Sequence, residues 1–198
     1  MEPIYGIDLG GTNVSIGKVN PKTGELNGGL KIISVDSVKC NKDLTELVSS
    51  ELSGEKEIAI CGAGDVDEEK LIIKHSPNVD IDGKVTLAKD LKEMGHKVTL
   101  TNDMKAAVQS IARYGKGEDH ENVCVATYSS GFNCAVARNK KNVTEAEMGH
   151  MVYRSSSSLF CGCGQPGHLE PFVSGNGASA MAKQYFIINS VIEHPIIR

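Results

Sequence analysis

The chain has 198 residues, of which 40% are hydrophobic and 23% charged, and this composition is typical of a globular protein with one or two domains. A formal net charge of −4 without any basic run argues against a nucleic-acid-binding surface. No apolar stretch reaches the length of a membrane span, and the start Met1-Glu2-Pro3 is not a signal peptide. We therefore expect a cytoplasmic protein whose six cysteines are reduced thiols or metal ligands.

The first predicted element is a β-hairpin around a glycine turn. An apolar strand from Ile4 ends at Asp8, and a second β-branched strand runs to Val19. The turn between them consists of Gly10, Gly11, Thr12 and Asn13. Successive amides in such a turn bind phosphate, because glycine has no Cβ to block the approach, and a carboxylate beside phosphates commonly holds Mg²⁺. The pattern is consistent with a phosphate and Mg²⁺ site or with an ordinary hairpin.

The elements that follow complete an α/β unit. In chain order we predict a strand over residues 29–35, a helix over 41–52 with Asn41 as its N-cap, a strand over 57–61, a short strand over 71–73, a helix over 87–94, a strand over 98–100 and a helix over 104–114. Three meandering strands, followed by two strands reached through helices, predict an α/β sheet.

The pattern restarts after a polar segment. We place a boundary there, between a lobe of residues 1–115 and a second of residues 116–198. Residues 122–138 again read as strand, turn and strand, and an alignment without gaps places Thr127 on Asp8 and Ser129-Ser130-Gly131 on the first turn. This favours duplication, with two lobes facing one nucleotide, over two unrelated hairpins. The second copy is incomplete, because only a cysteine-rich segment and a helix over about residues 177–191 follow it.

Asp103 is a candidate catalytic residue. It follows the strand over residues 98–100, and functional groups in open α/β sheets collect at the carboxyl ends of strands, where Asp8 also lies. Two carboxylates suit phosphoryl transfer, since one holds the metal and the other accepts a proton from the attacking hydroxyl. The alternative is that Asp103 is only the N-cap of the next helix.

A second constellation has the spacing of metal ligands. It consists of His150, Cys161, Cys163 and His168. Two thiolates and two imidazoles satisfy tetrahedral zinc, which we favour over a chance arrangement. No basic helix accompanies the cluster, so a DNA-reading zinc finger is disfavoured.

These motifs together resemble the ROK family of the actin-like ATPase (ribonuclease H-like) fold. The matching segments are residues 8–13, Gly62-Ala63-Gly64-Asp65-Val66, Ser76-Pro77-Asn78, Asn102-Asp103, Ala146-Glu147-Met148-Gly149-His150 and residues 161–170. The resemblance implies a two-lobed α/β fold, with the second lobe incomplete here. It also implies a kinase that transfers the terminal phosphoryl group of ATP to a hexose or N-acylhexosamine, with Mg²⁺ and a structural Zn²⁺.

The resemblance also implies roles for individual residues. Asp103 would be the general base. The residues implied to hold the other sugar hydroxyls are Asn78, Asn102, Glu147, His150 and Glu170, with His150 also a zinc ligand. The residues implied to contact the nucleotide and Mg²⁺ are Asp8, Gly10, Gly11, Thr12, Asn13, Ser130 and Gly131. Such a polar set rejects wrong substrates because they leave its groups unpaired.

Four departures from the family pattern leave alternatives open. His168 stands where the family has a third cysteine, Lys105 replaces an asparagine, the second turn is poor in glycine, and the adenosine-binding part is absent. Three alternatives therefore stay open: an active kinase, a truncated or split kinase, and a non-catalytic sugar sensor. A different actin-like ATPase is disfavoured by the cysteine cluster and the Ser-Pro-Asn loop. We expect a homo-oligomer or a missing C-terminal segment to complete the second lobe.

Overall fold

The computed structural model describes residues 3–52, 54, 56–75, 81, 83–144 and 147–188. Its strands are Ile4–Leu9 (β1), Asn13–Val19 (β2), Lys31–Ser34 (β3), Glu57–Gly62 (β4), Asp65–Asp67 (β5), Ile72–His75 (β6), Lys97–Asn102 (β7), Asn122–Tyr128 (β8), Phe132–Arg138 (β9) and Lys141–Asn142 (β10). Its α-helices are Asn41–Ser49 (α1), Leu87–Glu93 (α2), Asp103–Tyr114 (α3), Glu170–Val173 (α4) and Gly175–Ile188 (α5), and Met148–His150 forms one turn of 3₁₀-helix.

The larger sheet contains the three meandering strands and the two later strands that the sequence predicts. Its order is β3-β2-β1-β4-β7, with antiparallel pairs β1–β2 and β2–β3 and parallel pairs β1–β4 and β4–β7. In this register Asp8 lies opposite Cys61, and Cys61 lies opposite Thr101. The carboxyl ends of the three parallel strands therefore meet at one edge of the sheet.

Alternating apolar residues of the sheet form the main core with two helices. Ile7 of β1 and Ile58 of β4 are at most 2% exposed, as are Leu44 and Val48 of α1 and Leu91 of α2. Burial of each such side chain contributes about 1.5–3 kcal/mol relative to leaving it in water. This packing fixes the sheet edge on which Asp8 lies.

The predicted cap of α1 is wrong. Cys40 occupies the N-cap position, and Asn41 is the first residue of the helix. The Asn41 side chain donates to the Lys84 carbonyl at 2.7 Å and accepts from the Thr86 amide at 2.8 Å. The Asn41 side chain therefore forms hydrogen bonds with backbone groups that are distant in sequence and, contrary to the local pattern, does not cap the helix.

An extra hairpin lies between β4 and α2. β5 and β6 pair antiparallel, whereas the sequence predicts one short strand over residues 71–73. β5 has only three residues, all with exposed or half-buried side chains, so it lacks the apolar alternation that marks a strand. The third predicted strand, over residues 29–35, is shorter in the structure and spans only Lys31–Ser34.

α3 packs against the second sheet, which has the order β10-β9-β8. Met104, Val108 and Ala112 of this helix form a separate buried cluster with Val123, Ala135 and Ala137. α3 also contacts the loop between β2 and β3, where the Tyr114 hydroxyl donates to the Pro21 carbonyl at 2.9 Å. The apolar face of α3 therefore packs in the second core. The division of the chain into lobes at residues 115/116 stays a prediction.

The two glycine-turn hairpins differ by one residue. Leu9 pairs with Val14 across four intervening residues, whereas Tyr128 pairs with Phe132 across three. The alignment without gaps is therefore wrong within the turn, although both segments are antiparallel hairpins.

The described C-terminal part consists of the cysteine-rich segment followed by α4 and α5. The short helix α4 is not predicted by the sequence, and α5 begins at Gly175, two residues before the predicted start. Among the described residues, no helix combines the length and the apolarity that crossing a membrane requires.

Candidate active site

Two carboxylates lie at the common edge of the parallel strands. Asp8 is the fifth residue of the six-residue strand β1, and Asp103 begins α3 directly after β7. Burial, and in addition the negative charge of Asp8, raise the pKa of Asp103 above that of an ordinary aspartate, although the Met104 amide opposes the shift. The raised pKa makes Asp103 a better proton acceptor than an exposed carboxylate would be.

A thiol lies between these two acids. Cys61, on the middle strand β4, places Sγ at 3.6 Å from Asp8 Oδ1. Burial and the two neighbouring carboxylates raise the pKa of Cys61 to about 12, so the thiol stays protonated at neutral pH. The sequence offers no signal for this contact, because it depends on the register of two strands.

Asn102 holds the start of α3 and thereby orients Asp103. It is 1% exposed, its Oδ1 accepts from the amides of Met104 at 2.8 Å and Lys105 at 3.4 Å, and its Nδ2 donates to the Gly64 carbonyl at 3.2 Å. The N-cap of α3 is therefore Asn102, and the alternative that Asp103 is only a cap is wrong.

Glu147 connects this edge with the metal-ligand cluster. Its backbone is left-handed at φ 71°, and its Oε2 lies 3.6 Å from His150 Nε2. Burial raises the pKa of Glu147, His150 lowers it, and Asp103 raises it further, while hydrogen bonds from the Gly64 amide and the Asn102 side chain favour the ionised form. These interactions place Glu147 between Asp103 and His150.

The four predicted metal ligands converge. The ligand atoms of His150, Cys161, Cys163 and His168 all lie within 4.8 Å of one another. Cys161 Sγ lies 3.4 Å from His150 Nδ1, and Cys163 Sγ lies 3.3 Å from His168 Nδ1. A tetrahedral zinc ion with ordinary bond lengths separates sulfur and nitrogen ligands by about 3.6 Å. The set fits zinc with small adjustments, and His150 would use Nδ1, with Nε2 directed to Glu147.

Glu170 joins the cluster to the second turn. Its Oε1 accepts from the Cys161 thiol at 3.4 Å, and its Oε2 accepts from the Phe132 amide at 3.4 Å. A Cβ on Gly131 would lie 3.0 Å from the same Oε2. Burial, above all, raises the pKa of Cys161 to about 12, so a metal ion would have to displace a proton from this thiol.

The first turn is partly closed on itself. The Gly10 amide donates to the Asn13 carbonyl at 3.0 Å, and the Thr12 carbonyl accepts from the Val35 amide at 2.9 Å. The Asn13 side chain donates to Thr12 Oγ1 at 3.2 Å. The Gly10 amide is therefore already engaged, and any phosphate would rely on the amides that follow it.

Half of the candidate residues thus join one series of contacts and electrostatic interactions. The series runs from Asp8 and Asp103 through Asn102, Glu147, His150 and Cys161 to Glu170 and Gly131. Ser130 lies in the second turn, where its carbonyl accepts from the Asn176 amide at 3.0 Å. Asn78 lies outside the described residues.

Two further residues connect the second turn with the metal-ligand cluster, and the sequence assigns neither of them an individual role. Asn133 Oδ1 accepts from the Met148 amide at 2.9 Å, and Gly149 lies directly against the Phe132 carbonyl. The sequence gives no signal for this contact of Asn133, because its partner is 15 residues away. Gly149 lies in the motif segment Ala146-Glu147-Met148-Gly149-His150, but only the tertiary structure shows that it packs against the Phe132 carbonyl.

The chain is similar in sequence to known sugar kinases. The chain is 30% identical to a glucokinase of Thermotoga maritima over 185 residues, covering 86% of this chain and 57% of the glucokinase. It is 26% identical to an N-acetyl-D-glucosamine kinase of Vibrio atlanticus, covering 92% of this chain and 66% of that kinase. The chain spans less than two thirds of the length of these relatives.

The fold agrees as well. A ROK hexokinase of Thermus thermophilus superposes with a TM-score of 0.76 at 24% identity, covering 93% of this chain and 64% of the hexokinase. The family model described as ROK family matches residues 4–194. The chain therefore belongs to the ROK family and has its actin-like α/β fold.

Proposed function

We propose that this chain carries the sugar-binding and catalytic part of an ATP-dependent sugar kinase. The observation that supports this most is the pair Asp8 and Asp103 at the carboxyl ends of β1 and β7, the two parallel strands on either side of β4, beside a glycine turn. Matched relatives that are glucokinases and an N-acetylglucosamine kinase favour a hexose or an N-acylhexosamine as the acceptor.

Asp103 acts as the general base in this proposal. Its carboxylate accepts the proton of the sugar hydroxyl as that oxygen forms a bond to the terminal phosphorus of ATP, and the bond from phosphorus to the ADP oxygen breaks. Asp8 and the amides after Gly10 hold the phosphate end of the nucleotide together with Ser130 and Gly131 of the second turn. Mg²⁺, held through Asp8, would neutralise charge on the phosphates.

The remaining sugar hydroxyls bind to Asn78, Glu147, His150 and Glu170. Glu147 and Glu170 offer carboxylate acceptors, and His150 Nε2 donates beside Glu147. Asn102 acts mainly as a positioning residue, because its side chain is already engaged in the cap of α3 and with Gly64. A structural Zn²⁺ at the four-ligand cluster would hold His150 in place.

Coupled ADP release over a panel of hexoses and hexosamines tests the proposal. We expect turnover of at least one sugar by the parent chain and a loss of about 10²-fold or more for Asp103→Asn. Asp119→Asn, an exposed acid on the loop after α3, is the matched control and should keep parental turnover. Turnover by Asp103→Asn equal to that of the parent would overturn the role of this residue.

Calorimetry with sugar and with ATP separately addresses the alternative of a non-catalytic sensor. The kinase proposal expects both ligands to bind. Binding of sugar without any binding of nucleotide, together with the absence of turnover, would favour the sensor and contradict the kinase.

A further inference from the structure

The second turn is held by the segments that carry the metal ligands. This turn comprises residues 129–131, and Phe132 and Asn133 follow it. Asn133 Oδ1 accepts from the amide of Met148, the first residue of the 3₁₀ turn that ends at His150. Gly149 of the same 3₁₀ turn lies so close to the Phe132 carbonyl that no Cβ would fit. The position of His150 and the position of the second turn are therefore tied together.

The other ligand segment contacts the turn through Glu170, two residues after His168. Its Oε2 accepts from the Phe132 amide at 3.4 Å and lies 3.0 Å from where a Cβ of Gly131 would be. When a metal ion takes Cys161 as thiolate, the hydrogen bond from that thiol to Glu170 is lost, but the contacts with Phe132 and Gly131 do not depend on it. Both ligand segments thus reach the turn independently.

α5 completes the support from the carbonyl side of the turn. The Gly175 amide donates to the Ser129 carbonyl at 2.8 Å, and the Asn176 amide donates to the Ser130 carbonyl at 3.0 Å. A Cβ on Gly175 would lie 2.9 Å from the Ser129 carbonyl oxygen. α5 follows the ligand segment through α4, so its position depends on that segment too.

A bound cation would cross-link the two ligand segments through coordination bonds, because one ligand comes from residue 150 and three come from residues 161–168. Without it, contacts such as the 3.4 Å pair of Cys161 and His150 link them. Exposed turns open locally at low free-energy cost, and a ligand that binds only the closed arrangement suppresses that opening.

We propose that a zinc-like divalent cation at His150, Cys161, Cys163 and His168 orders the second turn through Asn133 and Glu170. The turn then presents a preformed surface to the phosphates of a nucleotide. This last step rests on the proposed kinase function, whereas the ordering of the turn does not.

Hydrogen exchange of the full chain, zinc-loaded and chelator-stripped, tests the ordering. We expect amides of residues 129–133 to exchange about tenfold more slowly with zinc, because the ion disfavours the open arrangement. Amides at the far end of the same hairpin, near residues 122–124 and 136–138, serve as the internal control and should change by less than about twofold. Equal exchange of residues 129–133 in both states would overturn the inference.

Variants test the connecting residues. Asn133→Ala should keep its zinc by metal analysis but lose most of the zinc-dependent protection, and Glu170→Gln offers a second variant of nearly the same size. Asn122→Ala is the matched control, because it removes the 3.1 Å hydrogen bond from Arg138 Nε at the opposite end of the hairpin. Full zinc-dependent protection in both connector variants would overturn the assigned route.

Calorimetry with a non-hydrolysable ATP analogue, in both metal states, separates this inference from the proposed function. We expect binding to weaken about tenfold on removal of zinc, as the turn loses its preformed arrangement. No nucleotide binding in either state, with zinc-dependent protection intact, overturns the kinase proposal alone. Nucleotide binding with protection that is independent of zinc overturns the inference alone.

Discussion

Replacement of Asn102 by alanine removes the side chain that fixes the start of α3 and the position of Asp103. Loss of the N-cap costs about 1 kcal/mol. The buried Gly64 carbonyl also loses its donor, and a buried acceptor left without a partner costs about 1–3 kcal/mol. We therefore expect Asn102→Ala to lower the free energy of unfolding by about 2–4 kcal/mol, which corresponds to roughly 4–16 °C in Tm for a chain of this size.

Urea denaturation followed by far-ultraviolet circular dichroism measures this loss, provided that the slope with urea stays constant. Asn102→Asp keeps an acceptor for the Met104 amide but removes the donor to Gly64 and buries a second carboxylate beside Asp103, so it should destabilise the chain despite retaining the cap acceptor. Asn41→Ala is the matched control, since that side chain also bridges two backbone groups but is less buried. A loss for Asn102→Ala no greater than that for Asn41→Ala would refute the reasoning.

Three further predictions follow from single contacts. Gly149→Ala should destabilise the chain by about 1–3 kcal/mol, because the new methyl group would overlap the Phe132 carbonyl and neither backbone can yield cheaply. The acid limb of the pH profile of kcat/KM should lie at higher pH than for an ordinary aspartate, because the proposed base Asp103 must be ionised and its pKa is raised by burial and by Asp8. Cys163→Ala should lower the zinc content well below about one ion per chain, because it leaves three ligands.

Each of these predictions has a control and a contrary result. Gly29→Ala has open space around the new methyl group and should change stability by less than about 0.5 kcal/mol, so an equal effect of both glycine variants would contradict the packing argument. Asp119→Asn should leave the pH profile unchanged, and an acid limb in the normal carboxylate range would count against Asp103 as the base. Metal analysis of Cys40→Ala, an exposed cysteine elsewhere, should match the parent, and unchanged zinc in Cys163→Ala would remove that residue from the site.

Stability should respond to protonation of Asp103 in a defined direction. Its pKa is higher in the folded chain than in the unfolded one, so the native state binds this proton more tightly. The stabilisation from that proton is fully present at low pH and disappears as pH rises through the folded pKa. At neutral pH Asp103→Asn is therefore expected to keep or raise Tm, which separates a loss of turnover from a loss of folding.

The sequence by itself predicted, apart from β5, the succession of strands and helices in the first α/β unit and four candidate metal ligands whose ligand atoms lie within 4.8 Å of one another. Both rest on local information: apolar periodicity marks which face of a strand is buried, and the spacing of cysteine and histidine marks ligands that a turn can bring together. The sequence also identified the Asn102-Asp103 pair at the end of β7, but it did not show which of the two residues caps the following helix. Asn102 caps α3 because its Oδ1 accepts from the Met104 and Lys105 amides, and its Nδ2 also donates to the distant Gly64 carbonyl, which no local pattern shows.

Only the tertiary structure decided which distant groups touch. Periodicity shows that α3 has an apolar face, but not that this face packs on Val123 and Ala135 of the second sheet. The contact of Cys61 with Asp8 depends on strand register, and that of Asn133 with Met148 depends on how a turn docks on a hairpin. Such contacts form because packing of the whole core brings together groups that are far apart in sequence. No pattern of neighbouring residues shows which of these groups will meet.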